Sequence, residues 1–386
     1  MIFYDCETPL ISPAVPIPPI VCGAFAVNGG EIGLQHGQLE PNLRPYVEAM
    51  LRSQHIFAGH YIAFDMCAII YQWPEFTQLV FEAYQTDRVT CTEVRQKLLD
   101  IADPTCEKRD SGVFYRKGGK LVRAKYSLEH CIMRHFGLTI SGKGSTQLSY
   151  GELLDVPIGL WSEEARQYPK DDVSATRHLW YFQEQSKHLL KDQYRQSRKS
   201  FWLALMSAYG KRTNKQKVDD LERSKRAEVQ SLQVGMLQNG LLRYKGPKKD
   251  PYRHLVKDEE RVRELVEQCW DGEPPRTNPT KRYPQGRIKC DADTLKQIHD
   301  CPELNQYKRY KAAADFLSRD IPALRLGCEG NRVHTRFDSL KATGRTSSKN
   351  PNIQNFRRKG GVRECYEPSE WIWNPNTIQM DISKND

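Results

Sequence analysis

No run of apolar residues in this sequence is long enough to span a bilayer, so no membrane partner is expected. Mean hydropathy is −0.68, with 39% hydrophobic and 27% charged residues. No Cys-x-x-Cys pair occurs, and the 11 cysteines are odd in number and scattered. That excludes a zinc ribbon and a complete disulfide framework, and leaves reduced thiols in a cytoplasm as the expectation. Internal repeats and low-complexity tracts are missing, which argues against solenoids and disordered tails. No signal peptide is expected, because the first strand pattern begins at residue 2. Acidic excess is also lacking: 58 Lys and Arg against 48 Asp and Glu give a net charge of +10. A basic balance favours an anionic partner, with nucleic acid the first candidate. The 386 residues suffice for two or three domains with real cores.

The most informative stretch is Ile2-Phe3-Tyr4-Asp5-Cys6-Glu7-Thr8. It reads as a short buried strand, and successive side chains of a strand leave opposite faces. Asp5 and Glu7 therefore share a face, where two anions repel unless a cation sits between them. Carboxylate oxygens suit Mg²⁺ or Mn²⁺. Alone, Asp-x-Glu reads as a strand end with two solvated acids.

A proline-rich hinge follows from Ile11 to Ile20, then a second strand from Ile20 that closes in the turn Asn28-Gly29-Gly30. Pro41 to Gln54 has helical spacing. Ile56 to Asp65 reads as a buried strand leaving through Gly59, with Asp65 capping a helix from Met66 to Trp73. A helix is expected from Glu93 to Ile101, a hairpin insert from Arg109 to Lys125, and a helix from Tyr126 to Phe136. His130, Cys131 and His135 read as ordinary helix residues, because no second ligand pair follows at zinc spacing. In the segment from Glu163 to Trp180, Tyr168 and Asp172 are four apart and share a helix face. Pro169 marks a kink in that helix or its true first turn.

Charged helices fill most of the span from Trp180 to Gly240, with the basic junction Lys211 to Lys217 between two of them. Lys245 to Pro251 is a basic linker, Pro274 to Pro284 a loop rich in Pro, Arg and Lys, and helices return from Asp291 to Leu324.

Taken together, Asp5-x-Glu7 on the first strand, Asp65 after the third, and Tyr168-x-x-x-Asp172 on a late helix closely resemble the three motifs of DEDY-type 3′–5′ proofreading exonucleases. The segment Ala342-Thr343-Gly344-Arg345-Thr346-Ser347-Ser348-Lys349-Asn350-Pro351-Asn352-Ile353-Gln354-Asn355 resembles the Thr-Gly-Arg-x-Ser-Ser-x-x-Pro-Asn-x-Gln-Asn motif of family A DNA polymerases, those like bacterial DNA polymerase I and its phage relatives. Gly361 to Pro368 is similar to the stretch that leads into their polymerase strand. Ile378 to Asp386 resembles their first polymerase carboxylate motif, with Asp381 on the metal-binding Asp, Ile382 in place of Tyr and Asp386 in place of Glu.

The resemblance implies an α/β fold: a ribonuclease H-like 3′–5′ exonuclease domain over 1–190, a helical thumb over 191–325 and an incomplete palm over 326–386. It implies a two-ion Mg²⁺ or Mn²⁺ site held by Asp5, Glu7, Asp65 and Asp172, with Tyr168 orienting the attacking water. Asp381 would be a palm metal ligand. Arg345, Asn352, Gln354 and Asn355 would contact primer-template DNA, where Arg and amide side chains suit the nearly uniform minor-groove acceptors. The implied partners are DNA, entering as a single-stranded 3′ end, and a second polypeptide carrying the polymerase fingers and the rest of the palm. A truncated product is the other explanation of the missing motifs. The implied location is the cytoplasm of a bacterium or a phage-infected host. The pattern departs at Tyr61, where the family has Asn or another small polar residue four before the second-motif Asp. The family's Lys-x-x-x-Arg-x-x-x-x-x-x-Tyr-Gly helix and second palm carboxylate motif do not occur, so synthesis by this chain alone is not expected. The alternative from another class is a non-catalytic, DNA-holding thumb and palm subunit; an RNA-trimming exonuclease is a third, disfavoured by the Arg345 to Asn355 motif.

Overall fold

A computed structural model describes residues 1–12, 15–140, 150–245, 254–328, 332–356 and 360–367, with the backbone alone of 371–373 and 380–382. The Asp381, Trp371 and Trp373 side chains, Asp386, and the basic linker beyond Lys245 lie outside the described residues. The chain forms two units. One is Met1–Lys211 with Arg332–Asn355 and Pro368–Asp386; the other is Arg212–Asn331 with Phe356–Glu367.

The first unit is built on a five-stranded mixed sheet. Its strands are β1 (Ile2–Glu7), β2 (Cys22–Val27), β3 (Gly33–His36), β4 (Phe57–Gly59) and β5 (Val89–Cys91), in the order β3-β2-β1-β4-β5. β1 is central, antiparallel to β2 and parallel to β4. A central strand is covered on both faces, which is why Ile2, Phe3 and Tyr4 all vanish from solvent. The helices are α1 (Arg44–Arg52), α2 (Ala63–Gln72), α3 (Thr77–Gln85), α4 (Thr92–Ala102), α5 (Leu128–Phe136), α6 (Glu163–Glu184) and α7 (Gln193–Tyr209). Ile2, Tyr4 and Cys6 join one core with side chains of α1, α2, α3 and α7. Phe3 faces the other way, onto Ala24, Ala26, Ala58 and Val173 of α6.

Between α4 and α5 the expected hairpin is a three-stranded antiparallel sheet, β6 (Glu107–Arg109), β7 (Gly112–Lys117) and β8 (Lys120–Arg123). The α5 helix starts at Leu128, later than expected, because the Ser127 hydroxyl accepts the His130 amide as its cap. The strand expected over Ile56 to Asp65 contracts to β4, since the chain turns at Gly59.

In the second unit, α8 (Lys215–Gln238), β9 (Leu242–Lys245), β10 (His254–Lys257), α9 (Glu259–Cys269), α10 (Ala292–Lys296), α11 (Pro302–Asp315) and α12 (Ile321–Arg325) surround two cores. One is built on Met236, Val262, Val266 and Leu304; the other on Val218, Phe316, Leu324 and Val362. Back in the first unit, β11 (Arg336–Asp338) pairs with β12 (Ser347–Lys349), and β13 (Trp371–Trp373) with β14 (Met380–Ile382). Among the described residues no helix is long and apolar enough to cross a membrane.

Candidate metal centre

β1 delivers Asp5 and Glu7 to the face that Phe3 turns toward α6, opposite Ala24 and Cys22 of β2. Asp172 comes from α6. The three carboxylates offer oxygens that all lie within 4.8 Å of one another. Glu7 and Asp172 are each 7% exposed and Asp5 is half-buried. Oxygen ligands 2.0–2.6 Å from a divalent ion are at most about 5 Å apart, so this trio has the reach of a single cation. Crowded, buried carboxylates repel one another, and an ion between them offsets that repulsion.

Asp65 stands beside the trio and outside it. The β1–β4 ladder covers only Ile2↔Phe57 and Phe3↔Ala58, because β4 stops while β1 runs on. Further along β1, the Cys6 amide donates to Asp65 Oδ1 at 2.9 Å. The expected helix-cap role is thereby corrected. The α2 cap position is Ile62, without a side-chain cap, and Asp65 serves a strand amide that lacks a neighbour. Burial at 3% exposure strips water from the Asp65 carboxylate and pushes its pKa up to about 6, while hydrogen bonds from the Cys6 thiol and amide restrain the rise.

The turn that carries Asp65 is tightly set. A Cβ on Gly59 would lie 2.9 Å from both the Tyr4 carbonyl oxygen and Ile62 Cβ. His60 is held at Nδ1 by Thr92 Oγ1 at 2.9 Å and at Nε2 by the Tyr126 carbonyl at 2.8 Å. Tyr61 has φ 60° and is 39% exposed. Left-handed backbone suits Asn and strains a bulky aromatic, which gives a physical reason for a small polar residue there and marks Tyr61 as strained.

Tyr168 is 2% exposed and faces Asp172 one turn along α6. Burial first, then the neighbouring Asp172 and Glu7 carboxylates, hold its proton on far above the usual tyrosine range. The helix starts at Glu163, where the Ser162 hydroxyl accepts the Ala165 amide at 3.2 Å, so Pro169 lies inside it and not in its first turn. A proline at 169 leaves the Ala165 carbonyl without its intrahelical donor. The Tyr150 hydroxyl fills that place, donating to Ala165 O at 2.7 Å, and its ring lies 6.2 Å from that of Tyr168. Tyr150 and His60 are supporting residues that the sequence did not single out. Asp171 faces elsewhere, accepting Gln167 Nε2 at 2.7 Å.

Arg345, Asn352, Gln354 and Asn355 are exposed on the segment around β12. Asn352 Oδ1 accepts the Ser348 hydroxyl at 3.0 Å and the Asn355 amide at 3.3 Å, which fixes the turn that presents them. Asp381 lies on β14, opposite Ile372.

No protein-family model matches the sequence, and no curated protein does. Among solved structures, the chain is similar to the POL domain of Pol1 from M. smegmatis, solved in complex with DNA primer-template and dNTP. The TM-score is 0.59 at 15% identity, covering 94% of this chain and 54% of that one. The fold resembles that of a DNA polymerase domain. The chain spans about half the length of that structure. At such low identity the likeness is one of fold, mixed α/β, and the chemistry has to be argued from the side chains.

Proposed function

We propose that this chain is a metal-dependent 3′–5′ exonuclease belonging to a family A DNA polymerase, with residues 1–190 as a ribonuclease H-like exonuclease domain, 191–325 as a thumb and 326–386 as the opening of a palm. The observation that carries the reading is the gathering of Asp5, Glu7 and Asp172 within 4.8 Å, with the Asp65 carboxylate tied to the intervening Cys6 amide. The M. smegmatis structure, held in complex with DNA, supports DNA as the partner.

Asp5, Glu7 and Asp172 would hold one Mg²⁺ or Mn²⁺, with Asp65 and Asp5 serving a second. Such paired ions lower the pKa of bound water and stabilise the leaving oxygen of a phosphodiester. The Tyr168 hydroxyl, kept protonated, would donate a hydrogen bond that orients the attacking water. Hydrolysis breaks the bond between phosphorus and the 3′ oxygen of the penultimate nucleotide, releases a 5′-mononucleotide and leaves a new 3′ hydroxyl. Nothing in that chemistry reads a base, so removal would be indifferent to sequence. Arg345, Gln354 and Asn355, exposed beside β12, would hold the primer-template. Asp381 would serve as a metal ligand of a polymerase site in the palm.

The test is a 5′-labelled single-stranded DNA incubated with the chain and Mg²⁺, beside Asp5→Ala. Stepwise shortening from the 3′ end, lost in the variant while its melting curve stays cooperative, is the expected result. Absence of shortening by the folded wild type would favour the DNA-holding subunit.

A further inference from the structure

The β7–β8 hairpin of the three-stranded sheet carries a charge pattern that folding alone does not explain. From Ser111 to Lys125 the sequence has five Lys and Arg residues and no Asp or Glu. All five, Arg116, Lys117, Lys120, Arg123 and Lys125, are exposed. Lys117 and Lys120 stand directly opposite each other across the antiparallel pair. Like charges in that position oppose strand pairing. The turn between them is Gly118-Gly119, with φ 55° and 77°, and a Cβ at either would meet nothing within 4 Å. The two lysines thus flank a tip that projects into open space.

The sheet's base is anchored. Val113 is buried with Cys106 and Ala124, and Ile101, Tyr115, Tyr126 and Ala342 pack around them. At that base Arg123 lines a cavity of about 90 Å³ with Lys97, Lys341 and Asp338, whose carboxylate pairs with both lysines at 3.0 Å. The Lys341 amide in turn donates to the Arg345 carbonyl at 2.9 Å. The exposed cations of the hairpin are thus Arg116, Lys117, Lys120, Arg123 and Lys125, and its base adjoins the segment that carries Arg345.

We infer that the β6–β8 sheet is a DNA-backbone-binding wing, with Lys117 and Lys120 at its tip neutralising phosphates. Two opposed ammonium groups are relieved by an anion between them, and a repeating row of phosphates is the anion that fits a row of cations. The choice of DNA over other polyanions rests on the proposed function; the wing itself rests on the charge and the pairing.

The experiment is fluorescence anisotropy of a labelled DNA duplex in EDTA, across a series of KCl concentrations. The full chain is compared with Lys117→Ser/Lys120→Ser and with the charge-matched control Lys187→Ser/Lys191→Ser, two exposed lysines elsewhere in the unit. The wing variant should bind more weakly, with the slope of log K against log salt shallower by about 2. Its melting temperature should be equal or higher, because a repulsive pair has been removed, and a merely structural role would move it the other way. The control should keep the wild-type slope. Equal slopes for the two double variants, or wild-type binding without salt dependence, would overturn the wing. Shortening of DNA in Mg²⁺ by the same proteins judges the nuclease reading separately, since the wing variant keeps every carboxylate.

Discussion

Asp65→Asn should stabilise the metal-free protein while abolishing cleavage. Asp65 titrates near 6 in the fold against 3.8 for the free group, because burial disfavours its charged form. A carboxyl with a raised folded value contributes stability that is fully present below the unfolded value and lost as pH rises through the folded one. Above about pH 7 the charged, buried Asp65 therefore withholds ~3 kcal/mol from the fold. Asparagine is isosteric with the neutral acid, and its Oδ1 still accepts the Cys6 amide. At about 2–4 °C per kcal/mol for a domain of this size, the variant in EDTA should melt roughly 6–12 °C higher near pH 7.5. The gap should close steadily as pH falls and vanish below about pH 3, where neither state carries the charge. Adding Mg²⁺ should narrow it again, because both proteins keep the Asp5, Glu7 and Asp172 site and only the wild type also gains stability by binding the second ion. The assay is differential scanning fluorimetry over pH with and without EDTA. A variant that melts no higher than wild type at neutral pH, or a gap that stays constant from pH 4 to 8, would refute the assignment of Asp65 as a desolvated charge.

Tyr168→Phe keeps the buried ring and removes the hydroxyl that faces Asp172; cleavage of single-stranded DNA should fall by roughly 10²-fold with DNA binding in EDTA unchanged. An unchanged rate would remove Tyr168 from the mechanism. Gly59→Ala places a methyl 2.9 Å from the Tyr4 carbonyl and Ile62, which should cost about 1–3 kcal/mol in urea melts. It should also weaken Mg²⁺ binding by shifting the turn that leads to Asp65; unaltered stability would mean that the turn gives way freely.

Legibility followed the range of the interactions. Asp5 and Glu7 could be placed on one face from the two-residue period of a strand, and Tyr168 with Asp172 from the four-residue spacing of a helix. Both patterns are local. Asp65 is singled out by motif order alone, and its local reading as a helix cap fails, because its partner amide is open only where β4 stops short of β1. That is a tertiary event with no trace in the residues around 65. Tyr150 was invisible for the same reason: its partner carbonyl is vacated by Pro169, and nothing in the loop before α6 announces it. The strand β3, Gly-Leu-Gln-His, carries too little alternation to be recognised and forms because β2 offers it an edge. The departure at Tyr61 was visible as a residue type, whereas the left-handed φ that gives it meaning was not.

Those same features bear on the choice between an enzyme and a DNA-holding subunit. Crowding Asp5, Glu7 and Asp172 opposes folding. Burying Asp65 opposes it further, and a tyrosine at φ 60° adds strain of about 1–3 kcal/mol. Natural domains hold only about 5–15 kcal/mol in reserve, so such terms are large. Substitutions that relieve them are simple: Asp65→Asn, Tyr61→Asn, or the loss of any one acid. A unit needed only to hold DNA would gain stability from each of them and lose nothing, since its contacts would come from the exposed cations of the β6–β8 sheet and the β12 segment. Unfavourable terms concentrated within a few residues of one another are expected where a site needs them for its chemistry. The coincidence of all three around a cation-sized group of carboxylates is what favours the nuclease.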